Sequence, residues 1–187
     1  MQTYKEINLP SLTERVREIF WQYINPYMAH SVDHLELERY NPEHEPMFKV
    51  ISAYPFLSDH MVLFKMPPMA CTAIHMDGFA DNSKRIYSCN IPIEGCTAEC
   101  ITEFYQTNPN DFFEEQREQT RFIIPNRPTV KIGEYSLVYN PVLVNTQTPH
   151  RVNNTSKTEV RTSVSWSIRT DWTIEQIAKT VDLGVIV

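Results

Sequence analysis

Between Val160 and Arg169 two kinds of residue alternate without a break. Successive side chains of a strand point to opposite sides. Val160, Thr162, Val164, Trp166 and Ile168 therefore share one face, and Arg161, Ser163, Ser165, Ser167 and Arg169 the other. Two arrangements suit such a strand. Its polar face lies in water, or it lines a wet pocket inside a barrel while the apolar face is covered from outside. Upstream, short apolar runs cut by Pro, Gly and Asn occupy 61–65, 70–75, 86–93, 98–105, 121–124, 129–132, 135–139 and 142–145. Strands at this spacing, with turn residues between them, predict an all-β sandwich or barrel.

Helical periodicity appears at the two ends. Leu12, Val16, Ile19, Phe20 and Tyr23 make one apolar stripe after Ser11-Leu12-Thr13-Glu14, which reads as a capping box, and Asn25-Pro26 closes it. A stripe of this kind needs a surface, and the Val164/Trp166/Ile168 face supplies one. Covering that face would turn Arg161 and Ser163 inward. Residues 30–60 are broken by Pro42, Pro46 and Pro55, and predict a strand or coil followed by a short helix near 47–53. Asp171-Trp172-Thr173 leads into a last helix over 174–181, stopped near Gly184.

Composition narrows the class. A chain of 187 residues with 42% hydrophobic content reads as one globular domain able to bury a core. A net charge of -6 lacks the basic footprint that duplex nucleic acid demands, so a nucleic-acid partner is not expected. The first residues lack the apolar core of a signal peptide, and no apolar run reaches membrane-spanning length. The expectation is a cytoplasmic protein without a membrane partner. Cys71, Cys89, Cys96 and Cys100 include no Cys-x-x-Cys pair, so reduced, partly buried thiols are expected rather than structural zinc.

The chemistry centres on Ile74-His75-Met76-Asp77-Gly78. In an extended strand His75 and Asp77 project side by side and can share one cation. Two histidines and a carboxylate on one face of an octahedron, with the other positions open, make the site of non-haem Fe(II) that activates oxygen. His150 is the candidate third ligand. It precedes Arg161 by eleven positions, and Asn153-Asn154-Thr155-Ser156-Lys157 between them is turn material. A hairpin centred between Thr155 and Ser156 would set 150 directly opposite 161, about 5 Å apart at Cβ. A dicarboxylate could then chelate the metal at one end and meet the Arg161 fork at the other, with the Ser163 hydroxyl beside it. His34-Leu35-Glu36 is a rival His-x-carboxylate pair, set aside because its segment lacks strand texture. His30, His44 and His60 read as ordinary histidines, and Arg85 as a surface charge.

The ordered set His75-Met76-Asp77, His150, Arg161-Thr162-Ser163 resembles the signature of the Fe(II)/2-oxoglutarate-dependent dioxygenases over roughly residues 61–169. Residues 85–93 (Arg-Ile-Tyr-Ser-Cys-Asn-Ile-Pro-Ile) and Gly133-Glu134-Tyr135-Ser136-Leu137 look most like prolyl 4-hydroxylase and aspartyl/asparaginyl β-hydroxylase relatives. The resemblance implies a mainly-β, cupin-like jelly roll (a double-stranded β-helix). On that basis 61–170 is the catalytic core, 1–60 an N-terminal helical and irregular support, and 171–187 a C-terminal helix and tail. It further implies Fe(II) on His75, Asp77 and His150, 2-oxoglutarate as co-substrate on Arg161 and Ser163, and O2 as oxidant. Asn90 and Tyr105 become candidate co-substrate contacts. The implied reaction hydroxylates a C–H bond of a peptidyl or free amino acid, with release of succinate and CO2. A cupin-like metal- or ligand-binding module without turnover is the alternative.

Overall fold

The computed structural model describes residues 3–25, 34–37, 41–42, 44–79, 85–106, 112–117, 120–125 and 130–185. His30 and Pro26 lie outside them. Among the described residues twelve strands form three antiparallel sheets. The largest holds β1 (Tyr4–Glu6), β2 (His34–Leu37), β3 (Leu57–Met66), β5 (Tyr87–Glu94), β10 (Val142–Asn145) and β12 (Arg161–Ile168), in the order β1-β10-β5-β12-β3-β2. A second runs β11-β6-β9, from His150–Asn154, Cys100–Gln106 and Val130–Ser136. The third runs β4-β8-β7, from Met76–Phe79, Thr120–Pro125 and Phe112–Arg117. An isolated bridge between His75 and His150 joins β4's end to β11, so the two smaller sheets meet there. This mainly-β arrangement is consistent with a double-stranded β-helix.

Both faces of β12 are buried over its whole length. Val164, Trp166 and Ile168 enter one core with Met61, Leu63, Cys89, Ile91 and the helical residues Leu12, Val16, Ile19 and Phe20. The helix α1 (Pro10–Ile19), continued by a π turn at Phe20–Ile24, thus covers the sheet with Leu12, Val16, Ile19 and Phe20, whereas Tyr23, expected in the same stripe, is exposed. Arg17 Nε fastens it to the Pro92 carbonyl at 3.0 Å. The polar face of β12 turns inward. A second cluster, Phe104, Tyr135, Leu137, Val142 and Val144, packs the large sheet against β6 and β9.

Several expectations fail in instructive ways. Ser11 caps nothing: α1 starts from Leu9 with Pro10 in its first turn, and the Ser11 hydroxyl meets Tyr54 Oη at 3.2 Å. Proline lacks the N–H that a cap would satisfy and has the helical φ already, so it starts the helix one turn position earlier. The real capping box opens α3 (Ile174–Asp182), where Thr173 and Gln176 bond reciprocally. The segment 34–37, judged without strand texture, forms β2 at the edge of the large sheet. The run 70–75 is bridges rather than a strand, and 129–132 and 135–139 are replaced by the single strand β9, which ends at Ser136 and leaves 137–139 outside it, while 129 lies outside the described residues. The short helix near 47–53 is found as α2 (Glu45–Phe48) followed by a 3-10 turn.

The proposed 150–161 hairpin is also wrong. β11 pairs with β6 and β12 with β3 and β5, so the turn between them carries the chain from one sheet to another. Asn154, fully buried, builds that crossing. Its Nδ2 donates to the carbonyls of Met66, Pro67 and Glu159 at 3.2, 3.0 and 2.8 Å. No helix among the described residues is long and apolar enough to cross a membrane.

Candidate metal centre

The true cross-strand neighbour of His150 is His75. Each backbone N–H donates to the other's carbonyl at 2.9 Å, which sets the two imidazoles side by side with centroids 4.6 Å apart. Asp77 follows two residues on, on the same face. Its Oδ1 lies 3.4 Å from His75 Nε2 and 3.8 Å from His150 Nε2. Nδ1 of His75 meets the Ala73 carbonyl at 2.8 Å, and Nδ1 of His150 meets that of Thr148 at 2.9 Å. A carbonyl can only accept, so each ring carries its proton on Nδ1 and turns the Nε2 lone pair toward Asp77.

Burial, then the neighbouring His75, pushes His150 down to about 4, which leaves it a neutral ligand at ordinary pH. Three buried lone-pair atoms facing one another are an arrangement that a cation satisfies. Donors at right angles around an ion at 2.0–2.2 Å stand about 3 Å apart. These three lie within 4.8 Å of one another, so slight closure of the side chains suffices. Among the described residues no other group of His, Cys, Asp and Glu meets the same description.

Asp77 is kept anionic. Burial works to raise its pKa, but the neighbouring His75, His150 and Arg85 outweigh it, and the carboxyl is held well below its usual range. Arg85 is no surface charge. It is only 4% exposed, with Nη1 3.3 Å from Asp77 Oδ2 and Nη2 2.9 Å from Ser165 Oγ.

Arg161 and Ser163 are both buried on the inward face of β12. The Arg161 guanidinium lies beside Cys96 and within the field of Tyr135, and its Nε has no acceptor among the described residues. Asn90, on the inward face of β5, donates to Tyr135 Oη at 2.9 Å and accepts from Ser165 Oγ at 2.7 Å. Tyr135 thus links Asn90, which donates to its hydroxyl, with Arg161, which acts on it through its charge. Tyr105 has other partners. It sits across β6 from the inward-facing Phe104, donates to Glu103 at 3.0 Å and lies under Arg151 at 5.7 Å. Glu103, bonded also by Arg151 and Lys131, is held down to about 2 against its burial.

No protein-family model matches this chain, and no curated protein does. Among solved structures it is similar to the crystal structure of a Pseudomonas putida prolyl-4-hydroxylase. The TM-score is 0.53 at 13% identity, over 90% of this chain and 93% of that one. Likeness at that identity concerns the fold; function has to be argued from the site. The likeness shows the fold, and the two-histidine, one-aspartate group is a set of residues that could hold a metal ion.

Three participants escaped sequence reading. Tyr135 was seen only as part of a motif, although strand alternation alone would have placed its ring on one face. Gln147 links the site's two halves, its Nε2 donating to the carbonyls of Asp77 and Arg85 at 2.8 Å each. His60 meets Ser167 Oγ at 2.9 Å and feels the charges of Arg85 and Asp77. The contacts that place them at the site are long-range, and nothing local in the sequence marks them. The four cysteines are free; Cys96 and Cys100 each donate to a backbone carbonyl, of Thr162 and Gly95.

Proposed function

We propose that this chain is an Fe(II)- and 2-oxoglutarate-dependent dioxygenase with jelly-roll architecture. On this reading it hydroxylates a C–H bond of a peptidyl or free amino acid side chain. Two observations together support the reading: a buried His/Asp/His triad, and a buried arginine on β12 whose Nε has no acceptor among the described residues. A lone metal-binding module has no use for such a cation, whereas a dicarboxylate chelated at the metal needs one at its far end. The name of the similar solved structure, a prolyl-4-hydroxylase, favours a peptidyl or amino-acid substrate.

His75, Asp77 and His150 would hold the iron through Nε2, Oδ1 and Nε2. When bound there with 2-oxoglutarate and O2, iron supplies the oxidative decarboxylation that yields succinate and CO2 and delivers oxygen to a C–H bond. The protein's own part is positional. Arg161 receives the distal carboxylate and Ser163 adds a hydroxyl donor. Tyr135, steadied by Asn90, presents a second hydroxyl from the opposite sheet. The apolar Phe104, with its ring centroid 6.2 Å from that of His150, limits water beside the ligands.

The test is direct. Anaerobic Fe(II) plus 2-oxoglutarate should give a weak visible charge-transfer band, and admission of O2 should yield succinate even without a substrate. Protein that binds Fe(II) but neither shows the band nor forms succinate would leave only the cupin-like binding module.

A further inference from the structure

The two oxygens of Asp77 face different partners. Oδ1 looks toward both Nε2 atoms, at 3.4 and 3.8 Å, while Oδ2 accepts from Arg85 Nη1 at 3.3 Å. A carboxylate beside a divalent ion can bind through one oxygen or both. Chelation through both would occupy a position that a co-substrate or oxygen needs.

Arg85 is fixed for this division from two sides. Behind it, Thr146 Oγ1 and Gln147 Nε2 both donate to its carbonyl, and the same Gln147 nitrogen donates to the carbonyl of Asp77. In front, Nη2 donates to Ser165 Oγ at 2.9 Å, and Ser165 Oγ to Asn90 Oδ1 at 2.7 Å. Asn90 Nδ2 then donates to Tyr135 Oη at 2.9 Å, on the wall beside Arg161. The planar fork suits the place, since one nitrogen serves the metal carboxylate and the other serves the opposite sheet.

We propose that Arg85 is a positioning residue for the metal carboxylate: by occupying Asp77 Oδ2 it confines the ion to Oδ1 and keeps the remaining coordination positions open. The inference rests on the triad being the iron site proposed above.

Co(II) is the probe, because its visible spectrum reports coordination number and its binding can be titrated without turnover. Arg85→Met removes both donors while keeping bulk. It should weaken Co(II) binding about 10–100-fold, as loss of an outer partner of a ligand does. It should also weaken the visible bands, since Co(II) absorbs less as its coordination number rises. Arg85→Lys should recover part of the affinity. Wild-type affinity and an unchanged spectrum in Arg85→Met, even at a lowered Tm, would overturn the inference and leave the iron reading standing. If Arg85→Met does not fold, Ser165→Ala unties the guanidinium without touching the triad. It should then shift the spectrum the same way by less, and an unaltered spectrum overturns the inference. Wild-type protein that binds no Co(II) would overturn both readings.

Discussion

Arg161 and Asn154 carry consequences out of proportion to their place outside the triad. Arg161→Ala leaves the three ligands alone but removes a charge-assisted bond of about 1.5–3 kcal/mol. The expected result is a loss of one to two decades in 2-oxoglutarate affinity, with Fe(II) affinity unchanged, read by titrating the charge-transfer band. Lysine at 161 should restore only part, because a point charge lacks the fork. Asn154→Ala should destabilise the fold by about 2–4 kcal/mol in urea denaturation, since the carbonyls of Met66, Pro67 and Glu159 all lose their donor. At this scale the chemistry was legible and the scaffolding was not. His75, Asp77 and His150 declare themselves by residue type and order. Arg85 and Asn154 read as an ordinary charge and an ordinary turn residue until distant strands surround them. Gly95 is similar: its φ of +58 and the Val160 carbonyl oxygen, which a Cβ would overlap, exist only after β12 returns.

Elements were readable where one face is uniform. β12 and the stripe of α1 were matched from alternation and helical spacing alone, and they meet as expected in one core. Phe20, 2% exposed within that core, should cost about 3–5 kcal/mol when truncated to Ala, measured by denaturant unfolding with the m-value unchanged. Pairing was the weak link. Local turn residues after His150 suggested a hairpin, but the fully buried polar face of β12 could be buried only by sending the strand to the other sheet. The partner of β11 is β6, and the partner of His150 is His75. Such pairings close long loops and leave no periodic trace in either strand. β7 was missed because polar residues fill its last four positions, and β2, which does alternate, because four residues are too few to stand out.

For the molecule as a whole, acid should loosen the metal-free fold in a defined window. His60 protonates near 6.5 in the unfolded chain but is pushed to about 4 in the folded one, by burial and then by Arg85. Between those values the unfolded state holds more protons, so stability falls as pH drops from about 6.5 to about 4. His150 acts in the same direction over the same window, and the depressed Asp77 extends the loss to lower pH. Urea midpoints at pH 7 and pH 5 check this: His60→Gln should lose less than the wild type on acidification. The meeting of the two smaller sheets has a different consequence. β4 belongs to the β4-β8-β7 sheet, and its entry is fastened by the His75–His150 amide pair, the Asp77–Thr146 bond and Gln147. An ion gripped by all three side chains is therefore also a clasp between a flap and a body. Release of the ion and local opening of the flap become one cooperative event. Amide-hydrogen exchange should record it as slowed exchange over Met76–Phe79 and Thr120–Pro125 on metal addition, with the centre of β12 unmoved.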